Sequence, residues 1–259
     1  MILAGIFAAG IYVTRICNKT GHDDNDGIIF LLLISIGVFA GGHLLYSIVN
    51  YRLLIKIIQN ISLINSLNTF LSAVALVWGG NIFYGGLLGG ILTAIIIVKK
   101  KPCYRYLLDI VTPSVPLFHF FGRIGCFLGG CCFGIESSFG FTFRHAIIEE
   151  ANGINRFPVQ LLEALVNIVL FFILDAFRRK NIFKQNIIYL YLLFYSVARF
   201  CIEFLRGDEY RGFIVGLSTS QVISIVIFCV VVARHLFKGK KESLAEAQSF
   251  TKLTKEEGG

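Results

Sequence analysis

The chain has 259 residues, of which 56% are apolar, with a mean hydropathy of +0.74 and a formal charge of +8. That exceeds the apolar content a soluble core of this size needs, so a water-soluble globular protein is excluded. The cationic excess does not point to nucleic acid, because it collects between apolar segments rather than on a polar domain.

A hydrocarbon layer of ~30 Å takes about 20 helical residues to span. Candidate spans lie near 2–17, 28–49, 79–98, 106–121, 159–177, 187–206 and 217–237, which makes an all-α, polytopic membrane protein with seven transmembrane helices. The runs are long and continuous, unlike the segments of about ten alternating residues that build a membrane barrel. Basic residues follow the spans unevenly. Arg15 and Lys19, Lys99 to Lys101 and Arg105, then Arg178 to Lys180 and Lys184, all fall on one side with the tail lysines. Arg52, Lys56, Arg144, Arg156 and Arg211 fall on the other. The richer side is cytoplasmic by the positive-inside rule, so the N-terminus is outside and the C-terminus inside.

The first span has Arg15 after its apolar run and no basic residue before it, opposite to a secretory signal peptide, so it is expected to remain in the mature chain. Being short, it is also expected to lack a few residues at Met1. Between the second and third spans, residues 51–70 are too polar to cross and too apolar for a loop. Leu53, Ile57, Ile61 and Ile64 recur at spacings of three and four, which suits a helix lying in the interface; a hairpin packed on the bundle is the other reading. In the fourth span Asp109, Pro113 and Pro116 shape the helix, with a proline kink. An outer loop follows at 134–158, and no linker divides residues 1–237 into domains. Residues 238–259 are polar, mixed in charge and expected to be a disordered cytoplasmic tail.

The chemistry-bearing stretch is "FGRIGCFLGGCCFG", residues 121–134. A central arginine costs ~2.5–3.5 kcal/mol on insertion scales, so Arg123 needs a purpose. Gly122 and Gly125 beside it would let a ligand approach the backbone and could form an anion-binding nest. A second cluster, Arg199, Glu203 and Arg206, has spacings of four and three, which places it on one helical face. There the glutamate can hold one guanidinium while the other meets a ligand, or the three form an internal ion-paired face. Guanidinium forks from separate helices suit a phosphodiester, and a lipid phosphate is the nearest candidate.

Cys126, Cys131 and Cys132 lack the paired spacing of a structural zinc site, so no metal and no cofactor is expected. They read as small packing residues dispensable for chemistry; thiol redox chemistry is the alternative. His43 and His119 read as satisfied bundle residues, although His119 is close enough to Arg123 to be a candidate base. Ser218 and Gln221 open the last span and read as its cap.

Six ordered blocks, "GGHLLY" from Gly41, "VWGGNIFYGGLLGG" from Val77, "GRIGCFLGGCCFG" from Gly122, "RFPVQLLEA" from Arg156, "YSVARFCIEFLR" from Tyr195 and "LSTSQVIS" from Leu217, resemble the prolipoprotein diacylglyceryl transferase family. The resemblance implies a bacterial enzyme of the cytoplasmic membrane that moves diacylglycerol from phosphatidylglycerol to the lipobox cysteine of a preprolipoprotein. It implies that Arg123 and Arg199 handle the phosphate, with Glu203 and Arg206 shaping the pocket and Gln160 and Glu163 supporting it. Gly85 and Gly86 would line the cavity. Many members have a histidine where this chain has Tyr84, and a tyrosine where it has Ala4, so Tyr84 becomes the candidate base. The same departures leave open an inactive paralogue that only binds phospholipid.

The charge bias predicts that a cysteine introduced at Ser137 or Asn152 is labelled from outside intact cells and one at Lys184 is protected. The reverse pattern would invert the topology.

Overall fold

In the computed structural model, residues 1–256 are described except 79, 81, 185, 209–212 and 215; the side chains of 63, 75, 83, 213, 214 and 238–256 are not. Arg211, one of the expected outer cations, and Gly79 and Asn81 of the third expected span lie outside that set.

The helices are α1 (Ile2–Lys19), α2 (Asp24–Val49), α3 (Tyr51–Gln59), α4 (Leu67–Trp78), α5 (Phe83–Lys100), α6 (Arg105–Val111), α7 (Ser114–Gly129), α8 (Val159–Arg179), α9 (Ile187–Ile202) and α10 (Thr219–Glu256). Among the described residues, six helical stretches are long and apolar enough to cross a membrane: Ile2–Thr20, Asp24–Val49, Pro102–Gly129, Val159–Arg179, Ile187–Leu205 and Thr219–Phe237. The expected span at 79–98 is met by α5, which starts only at Phe83 and is not among the six. The protein is therefore a multi-pass, mainly helical membrane protein.

Two further expectations change. Residues 238–259 are expected to be disordered, whereas α10 continues to Glu256. Its extension is rich in Lys, Glu, Ala and Leu, has no proline, and so favours helix by local propensity. The fold is also not purely helical: β1 (Glu136–Thr142) pairs antiparallel with β2 (Asn155–Arg156), and β3 (Phe213–Ile214) with β4 (Leu217–Ser218).

The chain forms two compact units, Met1–Gly125 with Asn167–Ile187, and Cys126–Val166 with Ile188–Gly259. In the first, Val13, Ile16, Cys17, Phe30, Leu107, Ile110 and Val111 form a buried apolar cluster. Pro113 follows α6, and the chain resumes as α7 with Pro116 fully buried, so the prolines break this span as expected. At the end of α8, Asp175 gathers Tyr12 at 2.7 Å, Arg178 at 2.7 Å and Arg179 at 2.8 Å. His43 is a bundle residue, as expected, since its Nδ1 bonds the Trp78 carbonyl at 2.6 Å and ties α2 to α4.

Helices α2 and α5 approach through glycine. A Cβ on Gly41 would lie 2.9 Å from the Gly89 Cα and collide with the Gly85 carbonyl, and one on Gly85 would meet the Leu45 Cβ at 2.6 Å. In lipid, apolar side chains gain nothing from leaving hydrocarbon, so association relies on close packing that small residues permit. Gly85 and Gly86, expected to line a cavity, instead face Gly41 and Val38 of α2. Leu32, Ile36, Phe39 and Ile48 stay exposed on α2, as a lipid-bathed surface requires.

Gly41→Ala should therefore cost about 1–3 kcal/mol, read as a lower unfolding temperature in detergent. Gly10→Ala is the control, since nothing lies within 4 Å of its Cβ position; there the helix should gain up to about 1 kcal/mol. Equal melting of the two variants would sink the glycine-contact account.

Candidate active site

In the first unit, Arg123 sits inside α7 and is buried. One turn earlier, His119 Nε2 accepts a hydrogen bond from Arg123 Nε at 3.2 Å. That requires the imidazole to be neutral with its proton on Nδ1, so His119 orients the guanidinium rather than competing with it. The expected glycine nest does not form. Helix α7 runs continuously through Gly122 and Gly125, whose amides are spent on intrahelical bonds. What Gly122 supplies is room: nothing lies within 4 Å of its missing Cβ, whereas Gly125 faces the Met1 side chain at 3.1 Å. Tyr84, on α5, is buried.

In the second unit, Arg199 is the centre of a buried polar cluster. It donates to Glu163 Oε1 of α8 and to Ser220 Oγ at 3.3 Å, and pairs ionically with Glu203 Oε2 at 2.7 Å. Ser218 Oγ donates in turn to Glu203 Oε1 at 2.8 Å. Ser218 also caps α10: its backbone N–H meets Gln221 Oε1 at 3.0 Å, and its hydroxyl accepts from the Gln221 N–H at 3.2 Å. This is a reciprocal capping box, as the sequence suggested.

Arg206 leaves the face it was expected to share. Helix α9 stops at Ile202, Glu203–Leu205 form a 3₁₀ turn, and Arg206 is extended. Its fork grips Asp208 at 3.0 and 2.6 Å. Burial pulls the Arg206 guanidinium down, but the paired bonds to Asp208 outweigh it and hold the group firmly charged. So Glu203 holds Arg199, as one reading had it, but Arg206 has its own carboxylate. Glu163 supplies a second carboxylate for Arg199. Asp208 and Ser220 were not found from sequence; Asp208 lies only two residues beyond Arg206 and was the readable signal.

Gln160 is buried and donates Nε2 to the Cys131 carbonyl at 2.8 Å, which fixes the turn after α7. That turn needs a left-handed backbone at Gly130, φ 67°, where a side chain would also strike Ala146. Cys126, Cys131 and Cys132 bring their sulfurs within 4.8 Å of one another, the one cluster among the described residues that could hold a soft metal ion. It offers three ligands rather than the four of a structural zinc site. Hydrogen bonding with Cys126, then with Cys132, pushes the Cys131 thiol up, so it is protonated at neutral pH and a poor nucleophile.

The loop between α7 and α8 is closed by Arg156, which the sequence reading places among the surface cations. It is buried, donates to the Gly134 and Glu150 carbonyls at 3.3 and 2.6 Å, and lies 4.2 Å over the Phe133 ring.

Arg199→Ala would strand two buried carboxylates and should cost ~3–5 kcal/mol, seen as a lowered unfolding temperature in detergent. Arg179→Ala, whose side chain is 63% exposed in its pair with Asp175, should cost under ~1 kcal/mol. Similar melting of the two variants would show that Arg199 is not held as described.

The family profile of prolipoprotein diacylglyceryl transferase matches residues 1–237. A phosphatidylglycerol–prolipoprotein diacylglyceryl transferase of Clostridium tetani is 34% identical over 240 residues, covering 92% of this chain and 90% of that protein. The enzyme named phosphatidylglycerol–prolipoprotein diacylglyceryl transferase 2 of Clostridium perfringens is 33% identical over 249 residues, 94% of this chain and 92% of its own. That of Geobacter sulfurreducens is 33% identical over 237 residues, with 88% and 85% covered. With its buried arginines, its multi-pass helices and a match along nearly its whole length, the chain belongs to the prolipoprotein diacylglyceryl transferase family.

Proposed function

We propose that the protein transfers the diacylglyceryl group of phosphatidylglycerol to the lipobox cysteine of preprolipoproteins in the bacterial cytoplasmic membrane, crossing it seven times with its N-terminus outside. The observation that carries this reading is the near full-length likeness to relatives named for that reaction, joined to buried arginines on membrane helices. The substrate sulfur, as thiolate, attacks the glycerol carbon that bears the phosphate ester. A C–S bond forms, the C–O bond breaks, and glycerol phosphate leaves with one more negative charge than the diester carried. The thiol proton goes to water or to a protein base.

Arg123 and Arg199 both serve that growing phosphate charge, which is where fixed cationic donors lower a barrier most. His119 sets the first guanidinium from behind. Glu163, Glu203 and Ser220 set the second. Arg206, with Asp208, keeps the end of α9 in place, and Gln160 holds the turn that follows α7. Gly122 leaves space for the ligand beside Arg123, and Tyr84 stands where many relatives carry histidine. The raised Cys131 thiol favours a packing role for the cysteine cluster over nucleophilic chemistry.

The test is transfer of labelled diacylglycerol from phosphatidylglycerol to a lipobox peptide by the purified protein. Arg123→Lys and Arg199→Lys each keep charge but lose the fork, and each should lose about 10²–10³ in rate. If both donors act on one phosphate, the double variant should lose less than the product of the single losses. Near-full activity in either lysine variant would reject the phosphate role. A parent that binds phosphatidylglycerol without transferring it would be a lipid-binding paralogue.

A further inference from the structure

Helix α3 is a two-sided cylinder. Arg52, Lys56 and Gln59 form one stripe at spacings of four and three, while Leu54 and Ile58 are exposed on the other side. It begins right after α2, whose 26 residues are long enough to cross the hydrocarbon, so α3 starts where the chain leaves it. No aspartate or glutamate occurs between Asp26 and Asp109. Accordingly neither Arg52 nor Lys56 makes an ion pair among the described residues; Arg52 reaches only the Tyr51 hydroxyl, at 3.5 Å. Both cations open onto a cleft of about 540 Å³ lined by Val49, Asn50, Tyr51, Arg52, Leu53 and Lys56.

We propose that this cleft is a docking site for the phosphate headgroup of an anionic phospholipid, taken up from the bilayer before it reaches the arginines described above. The inference deepens the proposed function, since it names where the donor lipid is first held, and it rests on that reading for its purpose. The occupant follows from the chemistry of the lining. Two uncompensated cations and the Asn50 amide suit a phosphate monoanion with a polar head, whereas Val49 and Leu53 suit the start of an acyl chain. An acidic peptide would need the exposed apolar side of α3 to be covered by protein. A bilayer covers it without further contacts, because an interfacial amphipathic helix sinks that side among the acyl chains. Each surface cation enriches anionic lipid locally by about fivefold.

The site can be read without any transferase activity. The single tryptophan is removed as Trp78→Phe and a reporter is placed on the apolar side of α3 as Ile58→Trp. This protein is reconstituted in phosphatidylcholine vesicles containing an equal fraction of brominated phosphatidylglycerol or brominated phosphatidylcholine. The expected result is stronger quenching by brominated phosphatidylglycerol. Adding Arg52→Gln and Lys56→Gln should abolish the preference, losing about fivefold in enrichment per charge, and ~0.5 M salt should weaken it. Both positions are exposed, so the paired change leaves the fold intact. Equal quenching by the two lipids in the parent would overturn headgroup selection, and quenching by neither would overturn the interfacial placement of α3. A preference that persists in a protein inactive for transfer would sink the enzymatic reading alone; active protein without a preference would sink only the docking site.

Discussion

A guanidinium in a hydrocarbon layer has no water to satisfy it, and Arg123, Arg178 and Arg199 are settled by partners from their own or a neighbouring element. Arg199 draws carboxylates from α8 and from the turn after α9, and a serine from α10. Arg178 finds Asp175 three residues back and the Tyr12 hydroxyl from α1. Arg123 uses an imidazole on its own helix. Because an unpaired charge there would cost several kcal/mol, these contacts do more than decorate the helices. Where the partner sits on another helix, as for Arg199 and Arg178, they fix the rotation of the helix about its axis, which apolar contacts with lipid leave undetermined.

Glycine does the complementary work. Where α2 meets α5, backbones touch directly, and many of the large hydrophobic side chains of both helices are left to face outward. Leu32, Ile36 and Phe39 of α2 are among them, and the tightest of these contacts are made by the residue with no side chain. Rigid helices so joined can carry charged groups at defined positions without a large apolar interior to hold them.

Much of this was legible in the residues. Six of the seven expected spans could be read from length and hydropathy, because the bilayer sets a minimum run that only a few segments meet. Arg123, Arg199 and Glu203 stood out because ionised groups are costly there, and the Ser218–Gln221 cap because its spacing is a local property of a helix start. What was not legible depended on how helices end or face each other. Arg206 left its expected face because α9 ends at Ile202, a termination with no proline or glycine to announce it. The nest at Gly122 and Gly125 failed because tolerance of glycine for unusual backbone does not forbid a helix when neighbours support one. Gly85 and Gly86 were assigned to a cavity because a glycine that admits a ligand and one that admits a helix look alike in a sequence. Arg156 was counted with the surface charges because its acceptors, two backbone carbonyls, leave no mark in residue identity.

That last arrangement has a consequence for the loop it closes. The terminal nitrogens of Arg156 meet carbonyl oxygens and its plane an aromatic face, none of which gains or loses a proton, and it is shielded from solvent. A loop fastened by a carboxylate would loosen as the medium turns acidic, and one fastened at its surface would loosen in brine. This clasp depends on neither, so the closure it makes between α7 and α8 is insensitive to acidity and ionic strength.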